Sequence, residues 1–248
     1  MSSPKAVVVG ASSGVGRALA VELARQGHDM VLAARDKRDL EALAAHLKIR
    51  WQVSVHSYPL DLSVAELDAA AFVRACVDRL GGVDLLFVTA GRVDPRDDGL
   101  AESSIIGGLI TVNYLNVVHL ISQFGKAFVA RGKGNIVAFS SVAASAPRRR
   151  NAIYASAKAG LEVYCKGLRH YLRDSGVTVQ VYVLGYVDTA MSFGRQLLLP
   201  AVPPARVAAY VVRNLNKDRG VVYYPRFWYL VTLVLRSLPW FVYKRLAF

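Results

Sequence analysis

Cysteine and acidic side chains are scarce in this chain. Its 248 residues hold two cysteines, Cys76 and Cys165, each in a helical pattern and with no CxxC or Cys/His pair at ligand spacing. That excludes a disulfide framework and a zinc knuckle, so both are expected to be buried free thiols in a reducing compartment. The five histidines, His28, His46, His56, His119 and His170, are scattered singly and read as surface or core residues, so no metal is expected. The chain has no repeat and no low-complexity linker. No basic segment followed by an apolar stretch precedes the first strand-like run at Ala6, so no secretion signal is expected and the location is expected to be cytoplasmic. Asp plus Glu number 18 against 31 Lys plus Arg, a net charge of +13. A basic surface would suit nucleic acid, but no nucleic-acid-binding module is present and none is expected to bind.

What is present is apolar. With 54% hydrophobic and 20% charged residues, the chain is too apolar to be disordered, and its length suits one α/β domain with a large core. Short aliphatic runs at 7–9, 30–33, 53–56, 85–88, 136–139, 177–184 and 221–224 predict seven strands. Between them, segments 14–26, 40–47, 67–80, 104–131, 154–174 and 204–217 carry helical periodicity. Strands that alternate with helices and read as continuous apolar runs predict a doubly wound, Rossmann-type parallel sheet with helices on both faces.

The first run leads into Gly10-Ala11-Ser12-Ser13-Gly14-Val15-Gly16 and then a helical pattern. Glycines there allow a tight turn and close approach of a pyrophosphate, and the helix N-terminus adds N–H donors. At the end of the second run stands Arg35, where an acid would bind a ribose 2′-hydroxyl and an arginine accepts a 2′-phosphate. NADPH is expected over NADH, with Ser12 and Ser13 adding donors; the alternative is that Arg35 only opens a solvated helix face. Tyr154 and Lys158 lie four apart at a helix start and share a face. A free phenol titrates near ~10, and an ammonium one turn away favours the phenolate. Ser141 ends the fifth run, where its hydroxyl can bond a substrate carbonyl.

Together these residues resemble the short-chain dehydrogenase/reductase family over about residues 5–224. The resemblance implies a catalytic tetrad of Asn113, Ser141, Tyr154 and Lys158. It also implies adenine contacts at Asp61 and Leu62, ribose contacts at Ala90 and Gly91, and nicotinamide contacts at Val187 and Thr189. In such a site Ser141 and Tyr154 hold the carbonyl oxygen, Tyr154 gives the proton, Lys158 tunes it and binds ribose hydroxyls, and Asn113 holds a relay water. Three positions depart from the family pattern: Thr89 replaces the usual Asn, Leu184 the usual Pro, and Ala157 the common Ser. Family members are commonly dimers or tetramers, so a homodimer or homotetramer is expected. An NADP(H)-binding sensor or scaffold without turnover is the alternative to an enzyme.

Residues 226–248 are set apart from the catalytic domain, 1–225, as an apolar, basic extension. Segment 220–248 has nine aromatics and no Asp or Glu, and carries Arg226, Arg236, Lys244 and Arg245. Its longest apolar run, 227–235, is nine residues, under half of the ~20 a spanning helix needs. Two readings stand: a foot on an anionic membrane surface, or an arm packed on a sister subunit. The run Arg148-Arg149-Arg150 is either solvated or faces a phosphate near the pocket. This arginine run and the extension are similar to those of reductases of polyprenyl-phosphoryl keto-sugars, with ketosphinganine reductases a second comparison, which implies a lipophilic or lipid-linked ketone and a place in lipid metabolism.

Overall fold

The computed structural model of the chain describes residues 3–98, 100–194, 197 and 199–245. Seven strands, β1 (Ala6–Val9), β2 (Met30–Ala34), β3 (Val55–Pro59), β4 (Leu85–Val88), β5 (Gly134–Ser141), β6 (Val177–Leu184) and β7 (Val221–Tyr224), form one sheet. All pairings are parallel, in the order β3-β2-β1-β4-β5-β6-β7. The connecting helices are α1 (Gly14–Arg25), α2 (Lys37–Trp51), α3 (Ala69–Leu80), α4 (Ser103–Ile110), α5 (Asn116–Arg131), α6 (Ala152–Tyr171) and α7 (Pro204–Arg213). Two more, α8 (Trp228–Ser237) and α9 (Trp240–Tyr243), follow β7.

Because the side-chain period of a strand is two, each strand feeds two cores. Val7, Val9, Val31 and Ala33 meet Phe72, Phe124 and Leu161 of the α3, α5 and α6 layer. Ala6, Val8, Met30 and Leu32 meet Leu19, Leu23, Leu40 and Val207 of the α1, α2 and α7 layer. With both faces covered, no position in β1 or β2 can be polar without a buried partner, which is why these strands read as unbroken apolar runs.

The elements differ from expectation mainly at their ends. Asp68 caps α3 by accepting the Ala71 N–H at 2.8 Å, so the helix begins at Ala69 rather than 67. The third strand lies at 55–59 instead of 53–56, in register with β2 from Met30↔Val55 to Ala34↔Pro59. As an edge strand it tolerates His56 and Ser57, which hid it from an apolar pattern. Segment 104–131 is continuous but changes to a π-turn over Thr111–Leu115. This helix is long and apolar enough to cross a membrane by composition, yet Val117, Leu120, Ile121, Phe124 and Phe128 belong to the core.

Both cysteines are free and buried, and burial pushes each thiol up to about 12, which leaves them unreactive near neutral pH. The terminal helices are anchored through Trp228, which is 4% exposed and part of the α5–α6 core. Its indole packs so closely on Gly185 that a Cβ there would lie 1.9 Å from the ring nitrogen. Only glycine fits beneath it.

Candidate active site

The sheet order reverses between β1 and β4. Crossovers from β1 run one way to β2 and β3, and the later strands lie on the other side. A crevice opens where strand order reverses, beyond the carboxyl ends of the strands. Here it is a cleft of about 720 Å³.

One end of the cleft is the turn between β1 and α1. Gly10 has φ +89°, and a Cβ on it would fall 2.7 Å from the Ala90 nitrogen; one on Gly16 would fall 2.1 Å from the Gly10 carbonyl. Thr89 donates its hydroxyl to the Val9 carbonyl at 2.9 Å, pinning the end of β4 to the end of β1, so this departure from the family pattern has a structural task. Ser13 is the N-cap of α1, yet its side chain makes no capping bond, so its hydroxyl is open to a ligand beside the N–H groups of the first turn. Ser12, Gly14, Val15 and Gly16 line the same wall.

Arg35 lies exposed just past β2 and lines the cleft with Asp61 and Leu62. The Asp61 carboxylate accepts the Ser63 N–H and hydroxyl at 2.8 and 2.7 Å, and these bonds hold its pKa below the usual carboxylate value. Asn116, fully buried, donates to the Leu62 and Val64 carbonyls at 3.0 and 2.8 Å and so fixes this loop. Ala90, Gly91, Val187 and Thr189 complete the lining. A glycine cradle, an N-cap hydroxyl not used for capping and a cation beyond β2 fit a dinucleotide carrying a 2′-phosphate.

The other end carries Ser141, Tyr154 and Lys158. The Ser141 hydroxyl oxygen accepts the Ala143 N–H at 3.2 Å, which leaves its proton to donate. Lys158 is buried; it donates to the Phe139 carbonyl at 3.1 Å, and its Nζ lies 5.9 Å from the Tyr154 ring centroid. Desolvation lowers its pKa to about 8, against smaller raising effects of Cys165 and Glu162. Glu162, one turn further along α6, accepts the Ser140 hydroxyl at 2.5 Å, and burial raises its pKa above the ordinary value.

Asn113 does not line the cleft. It is fully buried in the π-turn, with both amide N–H groups spent on the Arg92 and Leu109 carbonyls at 2.8 and 2.9 Å. Its Oδ1 accepts the Arg92 N–H at 3.0 Å and would lie 3.2 Å from a Cβ on Gly91. Any water it holds must therefore donate to the second Oδ1 lone pair or to a main-chain carbonyl.

The residues matched by the short chain dehydrogenase family model are 4–196. The chain belongs to this family. An uncharacterized oxidoreductase of Mycobacterium tuberculosis is 32% identical over 97% of this chain and 96% of its own. A short-chain dehydrogenase from Sphingobium yanoikuyae, solved in complex with NADPH, superposes with a TM-score of 0.82, 28% identity and coverage of 96% and 97%. A bulky-bulky ketone specific alcohol dehydrogenase from Comamonas testosteroni, at 22% identity, covers 97% and 96% with a TM-score of 0.79, a likeness of fold. This is an oxidoreductase of the family.

One member of the site carries no sequence signal. Asp97, 1% exposed, lies in the loop after β4 and accepts the Ile153 and Tyr154 N–H groups at 2.9 and 2.8 Å. It caps α6 from 56 positions away in sequence, so no local capping pattern marks it. Asp97→Ala should orphan two buried N–H groups and cost about 2–4 kcal/mol. Turnover should fall about tenfold with cofactor affinity little changed, because Tyr154 is displaced. Asp97→Asn, which can accept only one of the two, should fall between. Thermal unfolding and a separation of kcat from KM check this.

Proposed function

We propose that this oxidoreductase uses NADPH to reduce a lipophilic ketone to a secondary alcohol at the cytosolic face of a membrane. The observation that carries the reading is the single cleft. It joins the glycine turn and Arg35 at one end to Ser141, Tyr154 and Lys158 at the other, with Tyr186, Met191 and Leu197 beyond.

Bound there, NADPH supplies the hydride for the carbonyl carbon. The Ser141 hydroxyl donates to the carbonyl oxygen and orients it. The Tyr154 hydroxyl gives its proton to that oxygen as negative charge develops on it. Lys158, charged below pH about 8, stabilises the resulting phenolate. Asp97 keeps the first turn of α6 in place through the main chain, independent of the proton that moves.

The relative from Sphingobium yanoikuyae was solved with NADPH, which supports the cofactor, and Arg35 supports the 2′-phosphate. Wild-type protein should oxidise NADPH in the presence of bulky apolar ketones and use NADH much less well. Arg35→Asp should weaken NADPH binding about 10²-fold, since one charge-assisted contact is lost and a repulsion gained. NADPH and NADH oxidation across a ketone panel measures both. Cofactor binding with no turnover of any ketone would leave a nucleotide sensor instead, and equal use of NADH by the wild type would remove Arg35 from the 2′-phosphate.

A further inference from the structure

A helix resting on a domain surface turns one apolar row inward and should show polar residues outward. On α8 the inward row is Trp228, Val231, Thr232 and Leu235, spaced i, i+3, i+4 and i+7. The outward row is apolar as well: Tyr229, Leu230, Leu233 and Val234 are each more than half exposed, Leu230 at 63%. Beyond Pro239, α9 adds Trp240 at 71% and Phe241 at 60%. Exposed apolar side chains gathered on two successive helices mark an interaction site.

We propose that this outward face of α8 and α9 docks on an anionic lipid bilayer, lying in its plane. Charge selects the occupant. Arg226, Arg236, Lys244 and Arg245 flank the apolar residues, and segment 220–248 has no Asp or Glu. A two-fold contact between copies is self-complementary, so it would set this cationic segment, which has no Asp or Glu of its own, against itself. Anionic head groups take the cations, and the acyl boundary takes the aromatic and aliphatic side chains. Ten residues of α8 span only ~15 Å, half the ~30 Å hydrocarbon core, so the helix does not cross. Residues 246–248 of the extension lie outside the described residues.

The same arm touches the loops that line the substrate end of the cleft. Tyr243 donates its hydroxyl to the Pro147 carbonyl, beside Arg148. The Trp228 ring lies edge-on to Tyr186 at 5.1 Å, and Arg148 bonds the Tyr186 hydroxyl. Arg148 and Tyr186 both line the cleft. A lipid-borne ketone would thus meet the cleft at the docked surface, a consequence that rests on the reductase reading while the docking itself does not.

Full-length protein sedimented with vesicles of phosphatidylcholine mixed with phosphatidylglycerol should bind at low salt. It should bind phosphatidylcholine alone much less, and lose affinity at least tenfold at ~1 M salt, where the Debye length is ~3 Å. Leu230→Glu with Leu233→Glu, both at exposed positions, should weaken binding to the mixed vesicles at least a hundredfold. NADPH oxidation with a small soluble ketone should stay within about twofold of the wild type, because the changed residues do not line the cleft. Wild-type protein that ignores the mixed vesicles, or a double variant that binds them as well as the wild type, would overturn the proposal. So would a double variant whose main effect is to split a dimer, since the face would then join copies of the chain. Vesicle binding without NADPH-dependent turnover of any ketone would leave docking in place and remove the reductase reading.

Discussion

Tyr154→Phe should yield a folded protein that binds NADPH as the wild type does and reduces ketone about a thousandfold more slowly. The substitution deletes one oxygen. The ring keeps its place, because Asp97 holds the first turn of α6 through main-chain N–H groups. Lys158 keeps its bond to the Phe139 carbonyl, and Ser141 still offers a donor to the substrate. A positioned general acid contributes about 10²–10⁴-fold, so loss of the proton alone accounts for the expected change, about 4 kcal/mol in the barrier. Steady-state kinetics should place the loss in kcat, with KM for both substrates within about threefold, as for an interaction made only in the transition state. Turnover within about threefold of the wild type would mean that another group supplies the proton.

The parts of this molecule that sequence reading captured are those with a period or a short spacing. The seven strands were legible because both sheet faces are covered, which forces continuous apolar runs in β1, β2 and β4. Gly10, Gly14 and Gly16 were legible because they sit in one turn, and Tyr154 with Lys158 because one helical turn separates them. The edge strand β3 was misplaced by two residues because its outer positions need not be apolar. Asp97, Asn116 and Glu162 gave no signal. Each acts across the fold: Asp97 on a helix 56 positions away, Asn116 on a loop 52 and 54 positions back, Glu162 on Ser140, 22 positions back. Such partnerships exist only once the sheet order has brought the segments together. The outward face of α8 was legible as composition, but which of its residues face the core could be read only from the packed Trp228 and Thr232.

Lys158→Met should make the protein more stable near neutral pH while abolishing most turnover. Burial lowers the Lys158 pKa from the unfolded value of 10.5 to about 8. Between those values the unfolded chain binds a proton that the folded chain does not, so stability rises with pH across that window. Below about pH 8 the folded state carries the whole cost of a desolvated ammonium, about 3 kcal/mol for the shift. Methionine removes that cost and fills similar space, but it leaves the Phe139 carbonyl without the donor it has at 3.1 Å, a loss of about 1–2 kcal/mol. The first effect is larger, so the cofactor-free variant should gain about 1–2 kcal/mol at pH 7, a rise in Tm of about 3–6 °C for a chain of this size. Above the unfolded value of 10.5 the amine is neutral in both states, the desolvation cost has vanished, and the lost hydrogen bond should make the variant the less stable of the two. Thermal unfolding of both proteins without cofactor, from pH 7 to pH 11, should therefore show curves that cross. A variant less stable than the wild type throughout would mean that the buried ammonium is compensated by its surroundings, and that Lys158 is held for catalysis at no expense to the fold.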